Sequence, residues 1–173
     1  MKYFILMFVI MISPVNAQWM MDTKDDPFGN DHLTYAYTTE GYRSLGVRCI
    51  GDSNLQILFL TEENVSDKDI YSINKMHPRT LIRIDKIPLI SINDNFVSSN
   101  KGKLVMVAKI TPSIVEKMRN AKNRIALAID MLGDRYSPTG FSPVGSYKNI
   151  SQVLKACHKA KEKIPEITSS TSK

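Results

Sequence analysis

Two cysteines constrain this chain more than any other feature. Cys49 and Cys157 stand 108 positions apart, one in an alternating segment and one in a helically periodic segment, each on the apolar side. Their chemistry depends on the compartment, and the first residues address that. Lys2 opens the chain, residues 3–12 form an apolar run, Pro14 breaks it, and Val15-Asn16-Ala17 puts small residues where a signal peptidase reads them. The run is shorter than the roughly 20 residues a membrane-spanning helix needs. We therefore expect residues 1–17 to be a signal peptide, with the exported chain starting at Gln18 and carrying no stable membrane span. In an oxidising compartment an isolated cysteine pair forms a disulfide, and chain entropy values closure of so long a loop at about 4–5 kcal/mol. The competing reading is a metal pair with His158 alongside, for which no third or fourth ligand stands at metal-site spacing.

The chain after residue 17 suits one domain, which we place at 18–164, with 165–173 as a flexible tail beyond the Pro165 stop. The full sequence carries 23 basic against 17 acidic side chains, a formal net charge of +6. Such a balance suits an anionic partner, but the charges are dispersed. The densest group, Lys155, Lys159, Lys161 and Lys163, falls at the end of a helical pattern, where cations meet the negative end of the dipole. Export and the absence of interleaved aromatics argue against a nucleic-acid partner.

Period-two alternation dominates the body. Residues 32–38 group Leu33, Tyr35 and Tyr37 on one face; 44–50 group Leu45, Val47 and Cys49 opposite Arg48; 54–60 group Leu55, Ile57 and Phe59. The Gly51-Asp52-Ser53 sequence between the last two marks a hairpin. Residues 79–85 alternate Ile82 and Ile84 against Arg83 and Asp85, and 87–92 read as their continuation after a bend at Pro88. Residues 104–110 are apolar on both faces, and 123–131 turn Ile125, Leu127, Ile129 and Met131 inward. Stretches 61–77, 93–103 and 133–145 read as polar or turn-rich connections. Thr111-Pro112 opens a short helix, and Ser146 is expected to cap a second over 147–163, with Ile150, Val153, Leu154 and Cys157 at i, i+3, i+4 and i+7. The expected fold class is α+β: a mostly antiparallel, sandwich-like β body with a short helix and a C-terminal helix stapled to it by the cysteine pair.

Catalytic patterns are missing. Gly140-Phe141-Ser142-Pro143-Val144-Gly145 departs from a nucleophile elbow, because its second glycine comes one residue late and Pro143 lacks an N–H. His32, His77 and His158 keep no common spacing. Asp22, Asp25, Asp26, Asn30 and Asp31 do not follow the alternating pattern of a calcium loop. Asp85 and Asp130 read as partners of Arg83 or Arg124. The chain is expected to need no catalytic residue, cofactor or metal.

One ordered set of residues is familiar. Trp19, Asp25-Asp26-Pro27-Phe28, Leu45-Gly46-Val47-Arg48-Cys49, Leu55-Gln56-Ile57, Arg83-Ile84-Asp85-Lys86 and Val153-Leu154-Lys155-Ala156-Cys157 occur in that order along this chain. Together they resemble the VasI/TagO-type accessory proteins associated with type VI secretion, small exported bacterial proteins. The likeness spans about 19–157 and rests on order, since each motif is short. It implies an exported, periplasmic or secreted, non-enzymatic envelope protein with the Cys49–Cys157 bridge, acting by contact with an envelope or secretion-apparatus protein. Its motif positions here are Trp19, Asp26, Pro27, Arg48, Arg83 and Asp85. The alternative is a cell-wall-directed protein, either a hydrolase or a lysozyme-type inhibitor offering the 136–145 segment as a rigid loop.

Overall fold

A computed structural model of the chain describes residues 17–25, 32–50 and 54–161. Residues 1–16 of the expected signal peptide, the motif residues Asp26 and Pro27, Asn30, Asp31, the 51–53 turn and the tail lie outside them. Among the described residues there are ten strands and three helices. In chain order they are β1 (Met20–Asp25), β2 (His32–Glu40), β3 (Arg43–Ile50), β4 (Asn54–Asn64), α1 (Asp67–Lys75), β5 (Arg79–Ile84) and β6 (Ile90–Ile92). Next come β7 (Asn95–Asn100), β8 (Lys103–Lys109), α2 (Pro112–Arg119), β9 (Ile125–Met131), β10 (Asp134–Phe141) and α3 (Ser146–Lys161). The strands form a six-stranded sheet of order β1-β2-β3-β4-β8-β7 and a four-stranded sheet of order β10-β9-β5-β6. Their pairings are antiparallel. The α+β class and the stapled C-terminal helix are as expected.

One apolar core joins the layers. The large sheet turns Leu45, Val47, Ile57, Phe59 and Met106 inward, and the small sheet answers with Ile82, Ile84, Ile125, Leu127 and Ile129. Phe59 meets Phe141 edge-on at 6.1 Å between ring centres, a geometry that suits the ring quadrupoles. Helix α3 covers the part of the large sheet formed by β2 and β3, and α2 packs against α3. The buried stripe of α3 is Ile150, Val153, Leu154 and Cys157, as the i, i+3, i+4, i+7 spacing indicates. Cys157 bonds to Cys49 on the inward face of β3, with 5.6 Å between their Cα atoms, so the disulfide reading holds and the metal pair is excluded.

Several expectations change. Leu33, Tyr35 and Tyr37 do share a face of β2, but Thr34, Ala36 and Thr38 fill the core side. They lie opposite Cys49, Val47 and Leu45 of β3, and small side chains there let α3 lie against the strand. Residues 61–77 are not a loop: β4 runs on to Asn64, and α1 comes after it. Ser66 accepts from the Asp69 N–H while the Asp69 carboxylate accepts from the Ser66 N–H, a reciprocal cap for a helix with only Ile70 and Ile73 half-buried. Residues 93–103 and 133–145 hold β7 and β10. Each enters a two-residue hairpin with both central residues at positive φ, Lys101-Gly102 (51° and 76°) and Leu132-Gly133 (56° and 96°). Lysine and leucine in the first position hide the asparagine–glycine signal that marks such turns. Strand β6 folds back beside β5 instead of continuing it. Ser146 begins α3, but its hydroxyl donates to the Arg119 carbonyl at 3.0 Å, fastening α3 to the end of α2. Of the 136–145 segment, the part as far as Phe141 belongs to β10, with a register shift between Tyr136 and Thr139, and residues 142–145 lead into α3.

Candidate functional site

The outer face of the six-stranded sheet is the strongest candidate. Register places Met20, Tyr37, Gly46, Leu58, Val107 and Phe96 in one continuous row across all six strands. Beside it runs Asp22, Tyr35, Arg48, Gln56 and Lys109, and on the other side lie Ser44, Leu60, Val105 and Ser98. Met20 is 46% and Phe96 50% exposed, so the apolar row reaches water at both ends. Six strands at roughly 4.8 Å spacing make the row roughly 24 Å long. Between the exposed ends Tyr37, Gly46 and Leu58 are half-buried and Val107 is buried, so the accessible apolar surface lies at the ends and around Leu58; exposed apolar surface of this kind marks interaction sites.

The middle of the face is concave. A cavity of about 370 Å³ is lined by Leu33, Tyr35, Tyr37, Gly46, Arg48, Leu58 and Leu60 among others. Gly46 sits in the central row, and a Cβ there would meet only ordinary contacts, the nearest at 3.7 Å. The glycine is therefore not required by packing, and its missing side chain leaves the dip. The tyrosine rings stand 5.8 Å apart. The Tyr35 hydroxyl donates to Asp22 Oδ2 at 2.6 Å. That bond pushes the Tyr35 phenol up to about 12 and, with the Thr23 N–H, draws the Asp22 carboxyl below its ordinary value. Tyr35 is thus a fixed neutral donor. Arg48 donates through Nε and Nη2 to Gln56 Oε1 at 3.0 and 2.8 Å. Half-burial lowers its pKa by desolvation, though it stays a cation. Among the described residues it has no carboxylate partner.

One of the two sheet edges, β7, is engaged at Val97. Asn74 of α1 donates its amide to the Val97 carbonyl at 2.9 Å and accepts the Val97 N–H at 2.8 Å, satisfying the free side of β7 at that residue. Strand addition at that residue of β7 is blocked.

The described motif residues do not converge on this site. Trp19 is buried, with its indole N–H donating to the Ser142 carbonyl at 3.0 Å. Asn149 Nδ2 donates to the Trp19 carbonyl at 2.8 Å. Trp19 is thus structural. Arg48 belongs to the face just described, whereas Arg83 lies exposed on the outer side of the small sheet. Asp130 pairs with Arg79 at 2.6 Å and accepts the Gly133 N–H, not Arg83 or Arg124 as expected. The Asp85 carboxylate accepts the backbone N–H groups of Lys122, Asn123 and Arg124 at 2.8, 2.8 and 2.9 Å. Of the expected guanidinium partners it takes only the Arg124 main chain. Sequence reading missed this clamp because its donors are backbone atoms 37 to 39 positions away.

The clamp carries a pH signature. The Arg124 and Lys122 N–H groups hold the Asp85 carboxyl below its ordinary value, so its contribution is fully present above about pH 4 and fades as the pH falls through the folded-state value. Asparagine also tolerates the positive φ of 49° at this turn. The Asp85→Asn variant is expected to lose about 1 kcal/mol at neutral pH, after allowance for solvent screening. Denaturant midpoints for the two proteins should converge toward pH 3; a gap that persists there would rule the clamp out.

Comparisons with family models, with curated proteins and with solved structures return no match.

Proposed function

We propose that this protein is an exported, non-catalytic binding module that acts by protein contact through the outer face of its six-stranded sheet. The observation that carries the reading is the apolar row with exposed ends at Met20 and Phe96 and a half-buried central dip at Tyr37, Gly46 and Leu58, beside which stands a half-buried Arg48 that has no carboxylate partner among the described residues. A half-desolvated guanidinium next to apolar area is completed by a partner carboxylate, a pairing that gives specificity at an interface. The partner is therefore a protein offering an apolar projection flanked by an acidic side chain. The leader-like start and the disulfide support export. Among the described residues no helix is long and apolar enough to cross a membrane. Within this reading the partner belongs to the envelope or secretion apparatus, and a type VI accessory role is its sharpest form, supported by the ordered motifs. A deletion strain whose apparatus assembles and fires normally would remove that form alone.

The test is a photo-crosslinking residue placed at Leu58, with Ser72 on α1 as the control position. Capture from position 58 of a protein whose crosslinked peptide pairs apolar residues with Asp or Glu supports the reading. Gly46→Val supplies the matched variant. It fills the dip, and replacing a strand glycine is expected to hold or raise stability by about 0.5–1 kcal/mol. Capture should fall by about tenfold or more in Gly46→Val with an unchanged or slightly raised melting temperature. Equal capture from both positions, or capture indifferent to Gly46→Val, would defeat the proposal.

A further inference from the structure

The outer face of the small sheet holds a different arrangement. Register aligns Arg83, Ala126 and Gly140 in one row and Arg79, Asp130 and Arg135 in another, with Leu81 and Ala128 between them. Two alanines along β9 leave a trough of about 250 Å³, walled by Leu81 and Leu89 on one side and Pro138 on the other. Arg124 lines the same end as Arg83: a Cβ at Gly140 would coincide with its guanidinium, so this glycine makes room for the arginine. Arg135 lines the far end.

Among the described residues none of these three guanidinium groups meets a carboxylate. Asp85 and Asp130, the carboxylates expected to pair with Arg83 or Arg124, are engaged elsewhere, Asp85 by three backbone N–H groups and Asp130 by Arg79 and the Gly133 N–H. The trough therefore has cationic ends and an apolar floor. Four residues of β9 separate the Arg83 row from the Arg135 row, roughly 14 Å at strand rise. In an extended peptide the same rise places side chains at i and i+4 on one face at the same interval. We infer that this trough binds an extended acidic peptide segment, with one carboxylate on Arg83 and Arg124 and a second, four residues away, on Arg135. The one apolar residue between them on that face, at i+2, would rest on Ala126 and Ala128. The floor strand is already paired on both sides, so recognition is by guanidinium forks rather than by strand addition.

The probe is a fluorescein-labelled Glu-Ala-Val-Ala-Glu peptide, titrated by anisotropy into the purified, disulfide-bonded chain at low ionic strength. Changing either Glu to Gln is expected to weaken binding about three- to tenfold, and both together more, with the affinity falling as salt is added. Arg83→Gln should abolish sensitivity to one glutamate and Arg135→Gln to the other. Both arginines are exposed, so these variants fold, and Ser72→Glu on the exposed side of α1 should leave the titration unchanged. The inference fails if the peptide does not bind, if the Gln peptide binds equally, or if the arginine variants keep both sensitivities. It fails too if polyphosphate binds tighter than the peptide in an Arg83-dependent way, since the trough would then be a phosphate site.

Discussion

Replacing Cys49 and Cys157 together with alanine should destabilise the folded protein by about 3–5 kcal/mol. The bridge closes 108 positions of chain, and confining so long a loop removes much of the entropy of the unfolded state. Alanine is the better probe than serine, because both sites are only 4% exposed and a buried hydroxyl would add its own penalty. For a chain of this size each kcal/mol moves the melting temperature by about 2–4 °C, so a fall of about 6–20 °C is expected. Reductant should bring the wild type down to the variant's curve and leave the variant where it is. A double variant within about 1 kcal/mol of wild type would show that α3 is held by its apolar stripe alone.

Trp19→Ala should cost a similar amount, about 3–5 kcal/mol. The indole is 1% exposed and belongs to the central core. Its N–H reaches the Ser142 carbonyl, while its main chain donates to the Val144 carbonyl at 2.9 Å and accepts from Asn149. The segment before β1 is thereby tied to the entry of α3, at the opposite end of that helix from Cys157. Trp19→Phe keeps most of the apolar volume and loses the indole hydrogen bond, so a loss of about 1–2 kcal/mol is expected. Urea unfolding followed by circular dichroism measures both. Equal losses for Ala and Phe would assign the effect to the hydrogen bond and refute the packing argument. Because the two fastenings act at opposite ends of α3, combining Trp19→Ala with the cysteine variant tests whether they are independent. Additive losses mean separate anchors, and a combined loss smaller than the sum means that α3 docks as one unit, so that losing either anchor already releases it.

Much of this architecture could be read from local pattern. The alternation in 44–60 specifies a hairpin with Leu45, Val47 and Cys49 inward, and the helical stripe ending at Cys157 specifies which face of α3 is buried. Those patterns survive because each side chain's fate depends on neighbours two, three or four positions away. Elements whose stability comes from elsewhere were harder to see. Helix α1 has a two-residue apolar stripe and relies on its cap and on Asn74 meeting Val97. Strands β7 and β10 lie behind Lys101-Gly102 and Leu132-Gly133, turns that carry only the glycine half of the usual signal.

Both candidate surfaces depend on long-range register. The sequence records that Tyr37, Gly46, Leu58, Val107 and Phe96 exist, but their common row requires four strand pairings. It records Arg83, Arg124 and Arg135, but not that Asp85 and Asp130 turn to other partners and leave those guanidinium groups without a carboxylate among the described residues. Leu33, Tyr35 and Tyr37 show the limit most directly. Alternation put them on one side of β2, and either side could have been the core. Helix α3 settled it by packing on Thr34, Ala36 and Thr38, because a helix needs small side chains to lie close to a strand. Periodicity determines which residues face the same way; the element that packs against them determines which way is in.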